Sequence, residues 1–283
     1  MNITLVSSPQ EFAQVVEPLL MKKESCNNLM LGIVKRLVDA PNEGEYGCLG
    51  FVEQDHEVVY AFMETPKNWI LADTPNMDEA IISSVTQFLY DHHMHIPSII
   101  GPVKAATMFV KQWEQLIGMN AIVHMEQLIY QLDHVQPIPL AEGKLIHAQA
   151  VHHALITQWL QQFGEEANEK MAKSNADRTA ARFIANQSVY LWEVAGEPVS
   201  MVNRSRETDH GVTINAVYTP DCFKRKGYAT SAVAALSSQL LTSGFQFCSL
   251  YTDKANPTSN GIYKKIGYYV VGDSIVYRFP KQE

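Results

Sequence analysis

The apolar positions of this chain change period repeatedly, and each change marks an element. Residues 3–7 alternate singly and predict a strand. From Pro9 to Met21 the residues Phe12, Val15, Val16, Leu19 and Leu20 share one helical face. Ser8 is placed to cap that helix, and Pro18 to bend it near its end. Asn27 to Val38 predicts a second amphipathic helix, followed by a turn at Pro41-Asn42-Glu43-Gly44. Cys48–Val52 and Val58–Glu64 read as a hairpin through Gln54-Asp55-His56. A strand at Trp69–Ala72, a helix at Met77–His92, a strand at Ser98–Gly101, a helix at Ala105–Gly118 and a strand at Ala121–Leu132 follow.

The same order then returns. Leu145–Ala148 predicts a strand, and His152–Phe163 and Asn175–Asn186 two helices. Val189–Val194 and Pro198–Arg204 form a hairpin around Ala195-Gly196-Glu197, and Gly211–Thr219 is a long strand. Gly227–Leu241 is a helix with Ala229, Ala232, Val233, Leu236 and Leu240 on one stripe. A strand at Cys248–Thr252, a helix at Asn260–Lys265 and a strand at Tyr268–Phe279 complete it. The chain therefore reads as two copies of one α/β architecture, residues 1–135 and 136–283. The proline-spaced linker Val135-Gln136-Pro137-Ile138-Pro139-Leu140 joins them.

Composition sharpens this reading. With 283 residues, 46% hydrophobic and 18% charged, the chain has enough apolar mass for two cores and little scope for extended disorder. Cys26, Cys48, Cys222 and Cys248 are scattered, as expected of reduced, mostly buried thiols in a cytoplasmic protein. The first residues carry no basic segment ahead of an apolar one, so no signal peptide is expected. No apolar run approaches the length of a membrane span. Residues 1–135 hold 7 Lys and Arg against 17 Asp and Glu, a net of −10, whereas residues 136–283 hold 15 against 13, a net of +2. An acidic half argues against a nucleic-acid partner. It aids solubility, and in a cleft it would draw a cationic amine.

Two segments carry candidate chemistry. In Val217-Tyr218-Thr219-Pro220-Asp221-Cys222-Phe223-Lys224-Arg225-Lys226-Gly227-Tyr228-Ala229-Thr230 an apolar strand runs through a turn and a basic Gly-containing loop into a helix. Free N–H groups and the dipole at a helix start favour an anion, and Gly227 lets the main chain come close to a pyrophosphate. The same Lys-Arg-Lys-Gly also occurs as a solvated turn. About thirty residues later, Asn256-Pro257 opens a short helix that carries Tyr263 and stops at Gly267.

Together the two segments resemble the Gcn5-related N-acetyltransferase (GNAT) family. Its acetyl-CoA loop, Arg/Gln-x-x-Gly-x-Gly/Ala, is matched by Lys224, Gly227 and Ala229. The lysine keeps the charge and loses the planar fork. Its second motif is matched by Asn256, Tyr263, Lys265, Gly267 and Tyr268. The resemblance covers residues 140–283 and only faintly the first half. It implies tandem GNAT-like domains, each a twisted, mostly antiparallel sheet flanked by helices. It implies an N-acetyltransferase with acetyl-CoA as donor and a primary amine of a small molecule or peptide as acceptor, joined by direct attack in a ternary complex. Acetyl-CoA would lie along Val217, Tyr218, Thr219, Lys224, Arg225, Lys226, Gly227, Tyr228, Ala229, Thr230, Asn256 and Tyr263. Tyr263 would act as general acid to the leaving thiolate, and a strand N–H around Val217–Thr219 would hold the carbonyl.

The base stays unassigned. Many family members carry Glu on the strand before the loop, whereas Gly211–Thr219 holds no acid. Asn215 can orient a water, and Glu193, Glu165 and Glu166 are candidate relays. That gap keeps open a catalytically inactive acyl-CoA-binding regulatory or scaffold protein, and the basic loop keeps open a nucleotide binder. The N-terminal copy reads as degenerate. Thr65-Pro66-Lys67-Asn68 and Asp73-Thr74-Pro75-Asn76 stand where a basic Gly loop belongs. Adjacent His92 and His93 point apart on a helix, and no metal is expected from them, His95, His152 or His153.

Overall fold

A computed structural model describes residues 1–40 and 46–280. The turn expected at Pro41-Asn42-Glu43-Gly44 lies outside the described residues. The chain divides into two compact units. Unit 1 holds Met1–Ile129, Thr252–Ala255 and Val270–Glu283; unit 2 holds Tyr130–Tyr251 and Asn256–Tyr269.

In unit 1, strand β1 (Asn2–Val6) leads to helices α1 (Pro9–Leu20) and α2 (Glu24–Asp39). Ser8 Oγ accepts from the Glu11 N–H and caps α1, and Pro18 is held inside that helix. A 3₁₀ turn at Met21–Lys23 replaces the expected coil, so α2 starts three residues before Asn27. β2 (Leu49–Gln54) and β3 (Glu57–Glu64) pair through the two-residue turn Asp55-His56, both at positive φ, as a tight hairpin requires. β4 (Trp69–Leu71), α3 (Glu79–Asp91), β5 (Ser98–Gly101), α4 (Val103–Ile117) and β6 (Ile122–Leu132) follow.

The sheet of unit 1 runs β1-β2-β3-β4-β5, and the next strand is the last of the chain, β12 (Tyr269–Arg278). β12 pairs antiparallel to β5, with Ile275 opposite Gly101 and Val276 opposite Ile100. Helices α1 and α2 cover one face over Phe12, Val16, Leu20, Met30, Leu49 and Ala61. On the other face α3 and α4 pack over Tyr60, Phe62, Trp69, Val85 and Phe109. Each Val, Leu, Phe or Met among these side chains, fully buried, contributes on the order of 1.5–3 kcal/mol.

In unit 2, β7 (Lys144–His147), α5 (His153–Glu166), α6 (Lys173–Ala185), β8 (Val189–Val194), β9 (Glu197–Glu207) and β10 (Gly211–Tyr218) repeat the plan. α7 (Tyr228–Thr242), β11 (Phe247–Asp253) and α8 (Pro257–Ile266) complete it. Its strands run β7-β8-β9-β10-β11, antiparallel except for β10 and β11. α5 and α6 cover one face over Leu191, Met201, Ala216 and Tyr218. The expected mixed, mostly antiparallel sheets flanked by helices are what the structure contains. The expected boundary lies between residues 135 and 136, whereas unit 2 begins at Tyr130 and the later segments Thr252–Ala255 and Val270–Glu283 belong to unit 1.

Candidate functional site

The site is built where β10 and β11 part. Their parallel ladder covers three positions, Gly211–Phe247, Val212–Cys248 and Thr213–Ser249. The last five residues of β10, Ile214–Tyr218, lie beyond that ladder. On its other edge β10 slips against β9: Asn215 faces Asn203 and Tyr218 faces Met201, three residues against two. The extra residue is a bulge, with Ala216 at φ +47°. A bulge twists the strand and re-aims its backbone. Here it sits one residue before Val217, where a carbonyl donor was expected. The sequence reading missed it, because no Gly or Asn marks the position.

Past Tyr218, Ser200 Oγ lies 2.9 Å from the Tyr218 carbonyl and 2.8 Å from Thr219 Oγ1. A 3₁₀ turn at Asp221–Phe223 leads into Lys224–Gly227. Arg225 and Gly227 both have positive φ, +64° and +83°, so the loop turns sharply before α7 begins at Tyr228. Gly227 is the N-cap and no side chain caps this helix. The N–H groups of Tyr228, Ala229 and Thr230 thus stay open to an external acceptor, with the positive end of the helix dipole behind them. A Cβ on Gly227 would meet only Ala141 Cβ, at 3.8 Å. Ser231 ties the first turn down: its hydroxyl donates to Gly227 O and accepts from the Ala141 N–H.

The three basic residues differ. Lys224 Nζ pairs with Asp221 at 2.7 Å and Glu166 at 2.8 Å. Those hydrogen bonds raise its pKa. Its charge therefore braces the loop as well as facing outward. Lys226 Nζ lies 5.7 Å from the Phe223 ring centroid. Arg225 is exposed.

Asn256 caps α8, its Oδ1 accepting from the Ser259 N–H at 3.0 Å. That helix carries Tyr263, whose ring is buried beside Tyr130 and Tyr268. Burial pushes the Tyr263 phenol up to about 12, so it holds its proton at neutral pH. Asn260, one turn before Tyr263, accepts from the Tyr130 hydroxyl at 3.1 Å. Gly267 ends α8 at φ +115°, and a Cβ there would lie 2.8 Å from Gln136 Cγ.

Two of the three candidate relays are held in ion pairs. Glu193 pairs with Lys144 at 3.2 Å, and Glu166 with Lys224. Glu165 is exposed. Asn215 accepts at Oδ1 from Asn203 Nδ2 at 2.7 Å. Among the histidines, His92 Nδ1 contacts Phe88 O, and His152 Nδ1 accepts from the Gln149 N–H. Among the described residues, no three His, Cys, Asp or Glu side chains come together as a metal site would require.

The corresponding region of unit 1 is closed by its own side chains. β4 and β5 run parallel through Trp69–Ile99 and Ile70–Ile100, and a Cβ on Gly101 would lie 2.7 Å from Leu71 Cβ. Asn27 brackets Asp73 with two hydrogen bonds to its backbone, and Lys23 pairs with its carboxylate at 2.8 Å. At the start of α3, the Asp78 carboxylate already takes the Ile81 N–H. Where unit 2 offers free donors, unit 1 offers a fixed negative charge.

Solved structures share this architecture over the whole chain. An acetyltransferase from the GNAT family from Colwellia psychrerythraea is 10% identical, covering 99% of this chain and 100% of its own, with a TM-score of 0.64. A Drosophila protein is 12% identical over 99% of both chains, with a TM-score of 0.68. A tandem GNAT protein from the clavulanic acid biosynthesis pathway is 11% identical over 99% of both chains, with a TM-score of 0.58. The fold is therefore the tandem GNAT fold. Residues 194–276 in addition match the family model described as FR47-like protein. A comparison with curated proteins found no match.

Proposed function

We propose that unit 2 binds acetyl-CoA and transfers its acetyl group to a primary amine of a small molecule or peptide. The observation that carries this reading is the uncapped start of α7 behind Gly227, set at the end of a strand that parts from its parallel neighbour. A pyrophosphate fits there because Tyr228, Ala229 and Thr230 supply N–H donors and Arg225 and Lys226 supply charge. The parted edge of β10 around Val217 leaves backbone groups to receive the acyl arm. Unit 1, with Asp78 on its helix start, is read as a non-binding copy.

In this reading the donor and acceptor meet directly. The Val217 backbone polarises the carbonyl, and Tyr263, protonated at neutral pH, donates to the leaving sulfur. The acidic balance of the chain disfavours a nucleic-acid partner. No helix among the described residues is long and apolar enough to cross a membrane. A cytoplasmic location is part of the proposal.

One observation favours a second reading. The strand that carries Glu in many GNAT proteins carries Asn215, which suits an acyl-CoA-binding regulatory or scaffold protein without turnover. Tyr263→Phe separates the two. Under the transferase reading it lowers kcat by about 10² or more while acetyl-CoA affinity holds. A wild-type protein that binds acetyl-CoA and acetylates no amine supports the scaffold reading.

A further inference from the structure

A hydrogen-bonded chain of neutral groups lies on the α5/α6 face of unit 2. Asn203 on β9 and Asn215 on β10 stand opposite each other in register, so their side chains share a face. Met201 and Tyr218, the next paired positions, pack under α5 and α6 and fix which face it is. Ser188 Oγ lies 2.7 Å from Asn203 Oδ1, and Asn203 Nδ2 lies 2.7 Å from Asn215 Oδ1. Asn203 is fully buried. Burying a primary amide costs free energy unless its groups are paired, and here the pairing locks both amides in place. Asn215 is the part-exposed end of the chain, two residues past the last β10–β11 pair and one before the bulge. Its oxygen has a second lone pair and its nitrogen two donors.

We propose that Asn215, held by Asn203 and Ser188, orients the acceptor nitrogen without taking its proton, so that the site acetylates amines of low basicity that arrive uncharged. This rests on the acetyltransferase reading above. The charged and titratable groups on the surrounding elements have their own partners or surroundings. On β8, Glu193 is bound to Lys144; on β9, Glu207 is bound to Arg204 at 2.7 Å and Arg206 stacks on Tyr251 of β11. Also on β11, the Cys248 thiol is buried and pushed up to about 12. On α5, Glu166 is bound to Lys224, Glu165 is exposed and His153 lies 3.8 Å from Asp177 of α6. On α6, Arg178 donates to Asn175 Oδ1 at 3.3 Å, and Lys173 is exposed. On α7, Tyr228 is half-buried.

The step balances without an enzymic base. The acceptor nitrogen forms the C–N bond as the C–S bond breaks. The nitrogen gives one proton to water, Tyr263 gives one to sulfur, and water restores the phenol. The products are the amide and the free thiol.

The test is the pH profile of kcat/KM on the full chain with acetyl-CoA and three acceptors of rising basicity: aniline, hydrazine and benzylamine. The acidic limb is expected to shift with each amine's own ionisation. Asn203→Ala is expected to lower kcat about tenfold, with acetyl-CoA affinity and the position of each limb unchanged. Asn215→Asp, which installs a base, is expected to raise the neutral-pH rate with benzylamine about tenfold or more and to add a limb common to all three amines. If that variant does not fold, the wild-type profile decides. Titration of the same preparation with acetyl-CoA separates two failures. No binding overturns the acetyltransferase reading and this inference with it. Binding together with one acidic limb shared by all three amines in the wild type overturns this inference alone.

Discussion

Gly227 and Ala216 have left-handed backbones eleven residues apart, and only one was legible. Gly227 declares itself, since a glycine directly ahead of a helix is the residue that takes a left-handed backbone without strain. Ala216 does not, because alanine at φ +47° pays a strain that only tertiary pairing with β9 imposes. The same holds for Asn215: its identity was visible, but its tie to Asn203 depends on register across two strands. Gly227→Glu tests the cradle. A carboxylate beside a bound pyrophosphate is expected to weaken acetyl-CoA by about 10²-fold or more, with the circular dichroism spectrum unchanged. Gly227→Ala, carrying the backbone strain alone, is expected to lose far less. Equal losses for both would assign the effect to strain rather than charge.

At the scale of elements, helices announced themselves by period and by caps. Ser8 was read correctly, and Gly118 ends α4 with φ +69° as its place in the sequence implied. α2 was read three residues short at its start because Ser25 is polar yet buried, which hides the first turn from the apolar stripe. Asn27 is inside because its amide serves Leu20 O and the Asp73 backbone, a demand no local pattern displays. β9 extends to Glu207 for a similar reason, through a slip in its pairing with β10. α8 offers an element-level prediction. Asn256 is both its cap and a motif residue, so Asn256→Ala is expected to cost about 1 kcal/mol of stability, measured by urea unfolding. No change in midpoint would mean that the Ser259 hydrogen bond does not hold the helix.

At the scale of the whole molecule, the repeat of element order made two similar copies legible. Which strands pair was not, since alternation in Tyr269–Arg278 reveals an apolar face and not the neighbour it meets. From Val270 on, β12 belongs to unit 1, where it pairs with β5. A fragment of residues 136–283 therefore leaves Ile275 and Val276 without partners on an open, apolar strand edge. It is expected to aggregate on size-exclusion chromatography, and a well-dispersed fragment would contradict that. The central claim, that the chain carries one acetyl-CoA site, is tested most directly by isothermal titration of the full chain with acetyl-CoA, with ATP and NAD as controls. The account predicts selective binding of acetyl-CoA at one site per chain, carried by the open start of α7. No binding, or binding of ATP or NAD in its place, would contradict it.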